Sequence, residues 1–135
     1  MTQHVLYIHG FNSSPLSNKA EQTRKFLAQY YPKVKFSCPQ LISNPNSAIA
    51  QLEALLAQGS VQQPDTQWLL IGSSLGGYFS TYLAEKYNLL AVLINPAVKP
   101  YELLLDYLGE QVNPYTGEVY QVEVDYIEAL KRLEQ

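Results

Sequence analysis

The chain has 135 residues, of which 47% are hydrophobic and 16% are charged, and its net charge is −3. This length and composition indicate a single folded domain over residues 1–135 and exclude a disordered chain. The weak negative charge and the scattered Lys and Arg residues argue against nucleic-acid partners and anionic membrane surfaces. No apolar run approaches the roughly 18 residues of a membrane-spanning helix.

The amino-terminal residues and the cysteine usage predict where the protein is found. The first residues show neither the basic region nor the long apolar region of a signal peptide. The single cysteine, Cys38, has no partner for an internal disulfide and fits a small buried residue at the end of a strand. Together these features predict a reduced, cytoplasmic protein. Because no Cys or His pairs stand at metal-ligand spacing, we expect no metal site.

Short apolar runs alternate along the chain with longer helical patterns, which predicts βαβ units and a mainly parallel sheet. The predicted strands cover residues 5–8, 33–37, 68–71 and 90–94. The second strand alternates with lysines, which favours an edge position. The fourth strand is apolar throughout, which favours a central position.

The segments between and after these strands predict helices and loops. Helices are expected over about 17–31, 45–57, 75–87, 100–108 and 122–133. Residues 58–67 are polar and read as a surface loop, and residues 109–117 as an irregular segment. Because the chain stops on a helix, we expect apolar surface on that helix and at the neighbouring sheet edge.

One motif indicates chemistry. Gly72 to Gly76 has the pattern Gly-x-Ser-x-Gly, follows the apolar run 68–71 and opens a helical stretch. A serine on such a strand-to-helix turn projects its hydroxyl above the sheet edge, and this arrangement is the nucleophile elbow of α/β hydrolases. The pattern therefore assigns Ser74 as the nucleophile, with a structural tight turn as the alternative. Ser73 occupies the variable position and is expected to face protein.

His9, Gly10 and Phe11 follow the first strand, at the sheet edge where ligands bind in open α/β sheets. The Phe11 and Leu75 backbone N–H groups are the candidate oxyanion-hole donors. An ordinary strand-to-loop turn is the alternative for Gly10. His9 is interpreted as a core histidine bonded to backbone, which can also line the pocket. A role as general base is disfavoured, since it breaks the expected chain order of Ser, acid, then His.

Two further loops supply candidate pocket-lining residues. Asn12 follows the first strand, within a small polar segment that can instead cap the coming helix. Asn95 and Pro96 follow the fourth strand, where they can equally form a simple strand-ending turn. The eleven tyrosines are expected to be amphipathic core and rim residues.

Several blocks of sequence carry a resemblance to a known family. The chain resembles the YqiA/YcfP family of small bacterial α/β-hydrolase-fold esterases in residues 6–15, 71–78, 95–98, 106–109 and 113–117. The resemblance implies an α/β-hydrolase-like three-layer fold with a mainly parallel sheet. It also implies hydrolysis of small acyl esters or thioesters, with Ser74 as nucleophile and no cofactor.

The chain departs from this family at its end. Family members continue into further strands that carry the acid and the histidine of the triad, and the roles cannot be moved to Asp106, Asp125 or His4. We therefore expect a C-terminally truncated domain with little activity alone, because loss of the triad histidine costs roughly a million-fold in turnover. The alternatives are a non-catalytic binding protein of this fold, or a partner-dependent one completed by a homo-oligomer or a complementing chain.

Overall fold

The computed structural model describes residues 2–134. Four strands alternate with helices over the first two thirds of the chain, and a hairpin and a last helix follow. The elements are β1 (Thr2–Ile8), α1 (Asn18–Tyr30), β2 (Lys35–Ser37), α2 (Pro45–Gln62), β3 (Thr66–Ser73), α3 (Leu75–Tyr87), β4 (Leu90–Ile94), α4 (Pro100–Leu103), a 3₁₀ turn (Leu104–Tyr107), β5 (Gly109–Val112), β6 (Val119–Val122) and α5 (Val124–Arg132).

The main sheet has the order β2-β1-β3-β4, and all its pairs are parallel. This confirms the parallel sheet and the edge position predicted for β2. In the register, Ile8 pairs with Gly72 and Ser73 pairs with Ile94. The carboxyl ends of β1, β3 and β4 therefore meet at one edge of the sheet, where the first loop and the elbow leave it. The order of strands reverses between β1 and β3, the position where ligands bind in such sheets.

Helices cover both faces of the sheet, as right-handed crossovers require. On one face α2, α3 and α5 pack on Leu6, Ile8 and Leu70, which are fully buried. On the other face α1 covers Val5 and Tyr7 of β1. The result is the three-layer arrangement that the sequence predicted.

The position predicted for β4 was wrong. Among the described residues β4 pairs only with β3 and forms an edge of the sheet. Its side chains are accordingly exposed, at 76% for Leu90, 49% for Val92 and 43% for Leu93. An apolar run predicts burial on both faces, but burial also needs a neighbouring strand, which the described chain does not supply.

The loop predicted over 58–67 was also wrong for most of its length, because α2 continues to Gln62. Gly59 lies in the helix against the ring of Trp68, which a β-carbon at that position would approach to 2.5 Å. The glycine thus marks close packing of helix on strand rather than a turn. Only Gln63 to Asp65 connect α2 to β3.

The segment predicted as irregular forms the first strand and the turn of the antiparallel β5–β6 hairpin. Asn113 organises the turn, since its side-chain oxygen accepts hydrogen bonds from the Tyr115 N–H at 2.8 Å and the Thr116 N–H at 3.2 Å. Two glycines with positive φ, Gly109 and Gly117, flank this region. The turn residues in this segment indicated a loop, so the pattern did not predict the two short strands that flank the turn.

Helix α5 buries its apolar face, contrary to the expectation of exposed surface there. Ile127 and Leu130 belong to the main core, and the Tyr78 hydroxyl donates a hydrogen bond to the Leu130 carbonyl at 2.5 Å. The apolar surface expected at the neighbouring sheet edge is present, on β4.

Candidate active site

Ser74 lies on a sharp turn between the last residue of β3 and the first residue of α3. Its backbone has φ 56° and ψ −119°, a conformation that non-glycine residues rarely adopt. The turn is fixed on both sides: the Ser74 N–H donates to the Ile94 carbonyl at 3.1 Å, and its carbonyl accepts from the Gly77 and Ala97 N–H groups at 3.0 and 2.9 Å. The side chain remains exposed at the carboxyl edge of the sheet. Strain held in place by surrounding bonds is typical of functional turns.

Two glycines allow the backbone segments around Ser74 to approach. A β-carbon at Gly76 would lie 1.9 Å from the Ile8 carbonyl oxygen, and one at Gly10 would lie 3.0 Å from the Ser74 β-carbon. Helix α3 thus starts directly against the end of β1, and the first loop lies directly beside the serine. The Gly76 contact requires glycine, whereas a methyl group at Gly10 would force its neighbours to shift by a few tenths of an ångström.

The Phe11 and Leu75 amides flank this junction. Within residues 2–134, neither N–H donates to a protein acceptor. The Leu75 N–H belongs to the first turn of α3, where helix amides have no intrahelical partner. Phe11 packs at the edge of the core and stacks edge-on against Tyr107, with ring centroids 5.4 Å apart. Both amides are therefore free to bind an anionic oxygen.

His9 is buried, with 3% of its surface exposed. Its Nε2 accepts from the Leu41 N–H at 2.9 Å, so Nδ1 carries the proton and donates to the Gly10 carbonyl at 2.9 Å. Burial lowers the pKa of this imidazole, and the Gly10 hydrogen bond opposes that shift only in part. Both ring nitrogens form hydrogen bonds with backbone groups. His9 therefore stabilises the first loop and has no free nitrogen that could accept a proton from Ser74.

His4 is the other histidine of the chain. It lies near the amino end of β1, stacks on Trp68 with centroids 4.2 Å apart, and bonds Ser37 through Nε2 at 2.7 Å. Because a strand rises about 3.3 Å per residue, His4 lies about 13 Å along the strand from Ile8 at the carboxyl edge of the sheet. Among the described residues, no histidine is therefore placed to serve Ser74.

Asn95 and Pro96 lie in the loop that follows β4 and wraps the elbow. Asn95 has a positive φ of 44°, and the hydrogen bond from Ala97 to Ser74 ties the loop to the turn. Both residues are thus brought next to Ser74. Asn12 is brought to the opposite side of the site, in the first loop, where it also has a positive φ, of 53°.

Sequence reasoning missed the role of the β5–β6 hairpin, which holds the first loop in place. Tyr120 donates from its hydroxyl to the Asn12 side chain at 2.5 Å, and Asn113 donates from Nδ2 to the Ser13 carbonyl at 3.1 Å. Burial raises the pKa of Tyr120 to about 12, so its hydroxyl keeps the proton that it donates. A narrow cavity of about 30 Å³ lies between hairpin and loop. Block 113–117 was part of the resemblance, but no pattern indicated this contact.

The sequence also matches the model of a known protein family. A family model described as an uncharacterised protein family, UPF0227, matches residues 4–135. The chain belongs to this family. It is the YqiA/YcfP family that the sequence blocks indicated.

Solved structures agree on the fold of this UPF0227 member. A protein from Agrobacterium vitis named as a candidate hydrolase matches with a TM-score of 0.71 at 17% identity, over 98% of this chain and 62% of its own. The α/β hydrolase domain-containing protein 10 from mouse matches with a TM-score of 0.66 at 16% identity, over the same shares of both chains. A structure of the metagenome-derived lipolytic enzymes LipS and LipT matches with a TM-score of 0.55 at 19% identity, over 97% of this chain and 66% of its own.

These likenesses show that the UPF0227 chain has the α/β hydrolase fold. The chain spans about 62% of the length of the first two structures that it matches. None of the helices in residues 2–134 has the length and apolar character of a membrane-spanning segment. Over the same residues, no group of three or more His, Cys, Asp or Glu side chains is placed to hold a metal ion.

Proposed function

We propose that this chain carries the nucleophile and the oxyanion hole of a serine esterase that acts on small carboxyl esters or thioesters. The observation that carries the proposal is the Ser74 turn: an exposed hydroxyl on a strained backbone, with the unbonded Phe11 and Leu75 amides beside it. The fold shared with the named hydrolases supports the proposal.

In the proposed reaction, Ser74 Oγ attacks the carbonyl carbon of the ester and passes its proton to a base. The carbonyl π electrons move to the oxygen, which the Phe11 and Leu75 N–H groups stabilise. The carbonyl then reforms, the bond to the leaving oxygen or sulfur breaks, and the protonated base gives its proton to the departing alcohol or thiol, which leaves an acyl group on Ser74. Water, deprotonated by the same base, attacks this acyl group, and the bond to Ser74 Oγ breaks as the base returns the proton to Oγ, which releases the acid and restores the serine. No cofactor enters these steps.

The base is proposed to come from outside the described residues, since His9 and His4 are both committed elsewhere. The sheet edge at β4 supports this proposal. An added parallel strand beside β4 would end next to the Asn95 loop, which is bonded to the Ser74 turn. Exposed apolar side chains along β4 and its unpaired edge are suited to such a strand, contributed by a further segment or by a complementing chain.

The apolar residues around the first loop favour a small acyl group. Phe11, Tyr107 and Tyr120 form an aromatic cluster, with ring centroids 5.4 and 6.3 Å from Phe11. The cavity behind this cluster has only about 30 Å³ of free volume. Within the described residues, a long acyl chain would therefore have to run outside the hairpin.

A labelling experiment with a fluorophosphonate tests the proposal. Without a base we expect slow labelling, although a residual acceleration of about 10³–10⁴ over water can come from the oxyanion hole and binding. Added imidazole is expected to raise the rate, because the exposed Ser74 hydroxyl is accessible to an external base.

Two variants make the result specific. Ser74→Ala should abolish labelling with and without imidazole, whereas Ser73→Ala, one residue away, should keep it. Labelling that persists in Ser74→Ala would contradict the assignment. A chain that stays unlabelled in imidazole would instead support the non-catalytic binding alternative.

A further inference from the structure

Two neighbouring strands leave an apolar face uncovered on the side of the main sheet that carries α1. The register places two pairs of apolar residues on this side, in line with Val5 and Tyr7 of β1; they are Leu69 with Leu90 and Ile71 with Val92. Val5 and Tyr7 are buried, whereas Leu90 and Val92 are exposed and their β3 partners are only partly buried. We call these four residues of β3 and β4 the open face. All-parallel sheets are found almost only with both faces covered, so this face calls for a further element.

A groove of about 530 Å³ lies beside α1 on the amino-terminal part of the open face. Leu27 and Tyr31 of α1 form one wall, Leu69 is part of the floor, and Leu89 and Leu90 form the opposite rim. Neighbouring strands lie about 4.8 Å apart, so β4 lies about 10 Å from β1, two strand spacings away. Packed helices have axes about 8–10 Å apart. The open face is therefore about one helix wide.

The wall that α1 forms is basic. Residues 19–35 contain five Lys and Arg residues and one acidic residue, a net charge of +4, whereas the rest of the chain contains four and eleven. Arg24 is exposed and lies on the same side of α1 as Leu27 and Tyr31, at helical spacing. Among the described residues, no acidic side chain lines the groove. A helix that lies beside α1 therefore meets apolar residues beneath it and positive charge along one edge.

We infer that the open face binds an amphipathic helix of a complementing chain, with apolar residues towards β3 and β4 and acidic residues along the edge that faces α1. Leu90 and Val92 belong both to the open face and to the unpaired edge of β4, so one polypeptide can supply this helix and the strand proposed beside β4. The solved structures that share the fold contain chain beyond the matched part, since this protein covers 62% of each of the first two. The inference concerns binding alone and needs none of the chemistry of Ser74.

A second copy of this chain suits the open face less well. The helix α1 exposes two neighbouring apolar side chains that a copy can offer, Phe26 at 52% and Tyr30 at 60%. Seating this helix beside the α1 of the first copy brings together two segments that each have a net charge of +4. Because like charges across a contact are unfavourable, an acidic helix is the better occupant.

Fluorescence anisotropy with a labelled synthetic peptide tests the inference. The probe has about 18 residues, which form a helix about 27 Å long. It carries Leu at i, i+3, i+4 and i+7 spacing and Glu along one flank of this stripe, and a matched peptide carries Lys in place of Glu. The Glu peptide should bind saturably to the full chain, and the Lys peptide should bind at least about tenfold more weakly. The difference should shrink at high salt, because salt screens exposed charges.

Variants of two adjacent β4 residues locate the binding surface. Val92→Gln should weaken binding of the Glu peptide about tenfold, because Val92 is 49% exposed on the open face. Leu93→Gln is the matched control and should bind normally, because Leu93 is 43% exposed but faces the other side of the sheet. Arg24→Gln should reduce the preference for the Glu peptide, whereas Lys131→Gln, the same charge change on α5, should not.

Several results would overturn the inference. These are a Glu peptide that does not bind saturably, equal binding of the two peptides, or equal losses in Val92→Gln and Leu93→Gln. A dimer in analytical ultracentrifugation that Val92→Gln dissociates and the peptide leaves intact would assign the open face to a second copy instead. Anionic lipid vesicles that compete with the peptide would assign it to a membrane surface. Ser74→Ala should bind the peptide normally, so a failure of the esterase proposal is distinguishable from a failure here.

Discussion

Gly10 packs directly on Ser74, and a β-carbon added to Gly10 would lie 3.5 Å from Ser74 Oγ and 3.1 Å from the Ser73 carbonyl oxygen. This contact joins the end of β1 to the elbow after β3. It sets the first loop, with the Phe11 amide, beside the hydroxyl. The geometry of the proposed oxyanion hole therefore depends on the absence of one methyl group.

We expect Gly10→Ala to slow imidazole-dependent labelling of Ser74 by about tenfold or more, because the added methyl group should displace the Phe11 amide. Complete loss of one oxyanion-hole donor costs about 10²–10³ in rate, and a displaced donor should cost part of this. The free energy of unfolding should change less, since the contacts at 3.0–3.1 Å need shifts of only tenths of an ångström. Gly117→Ala is the matched control, because Gly117 lies in the hairpin with open space around it. An unchanged labelling rate in Gly10→Ala would show that the Phe11 amide is not a donor of the oxyanion hole.

Gly76→Ala is expected to destabilise the fold itself. The added β-carbon would lie 1.9 Å from the Ile8 carbonyl oxygen, and both groups are backbone-bound and cannot rotate away. We expect a loss of about 3 kcal/mol or more in the free energy of unfolding. Urea denaturation measures this loss. Gly117→Ala is the reference variant, and we expect it to lose about 1 kcal/mol of unfolding free energy because Gly117 has a positive φ. Equal losses for the two variants would show that α3 can move away from β1.

The two histidines predict how stability changes with pH. Burial lowers the pKa of both His9 and His4, and Lys35 lowers that of His4 further. The unfolded chain therefore binds protons first, near the ordinary pKa of 6.5, and the free energy of unfolding falls as the pH drops below that value until the folded-state pKa values are reached. Above pH 7.5 the two residues should cause no change.

Urea denaturation at pH 7.5, 6.5 and 5.5 checks this prediction. His9→Gln and His4→Gln should each be less stable at pH 7.5, because bonds to Leu41 and Ser37 are lost. Each variant should also show a weaker dependence on pH across this range than the unaltered chain. Parallel curves for all three proteins would contradict the assigned cause.

The sequence predicted the parallel sheet, the elbow and the location of the first loop, because each depends on local patterns. Apolar runs and the glycines around Ser74 act over a few neighbouring residues. Two features depended on contacts far apart in the chain and were not predictable. The exposure of β4 reflects which strand lies beside it, and the bond from Tyr120 to Asn12 joins residues 108 positions apart.

Variants of Asn113 test the role of the β5–β6 hairpin in holding the first loop, which the sequence did not reveal. Its buried side chain forms three hydrogen bonds, two to the hairpin turn and one to the Ser13 carbonyl. We expect Asn113→Ala to cost about 2–3 kcal/mol of unfolding free energy, since it leaves buried backbone groups unpaired. Asn113→Asp keeps the acceptor for the turn but loses the donor to Ser13. It should therefore keep the hairpin while it loosens the first loop, which hydrogen exchange at Phe11 to Ser13 can measure.

The exposed edge strand gives the last prediction. Leu90 is 76% exposed on β4, and its side chain faces the same side of the sheet as Leu69, its partner on β3. Leu90→Lys should reduce self-association in analytical ultracentrifugation without lowering the melting temperature, because the change buries no charge and blunts an open apolar edge. Leu70→Lys, a fully buried position on β3, is the contrasting control and should unfold the protein. If Leu90→Lys instead destabilises the chain as strongly, this part of β4 is covered in solution by another strand or chain, and the complementing partner proposed for the base would gain direct support.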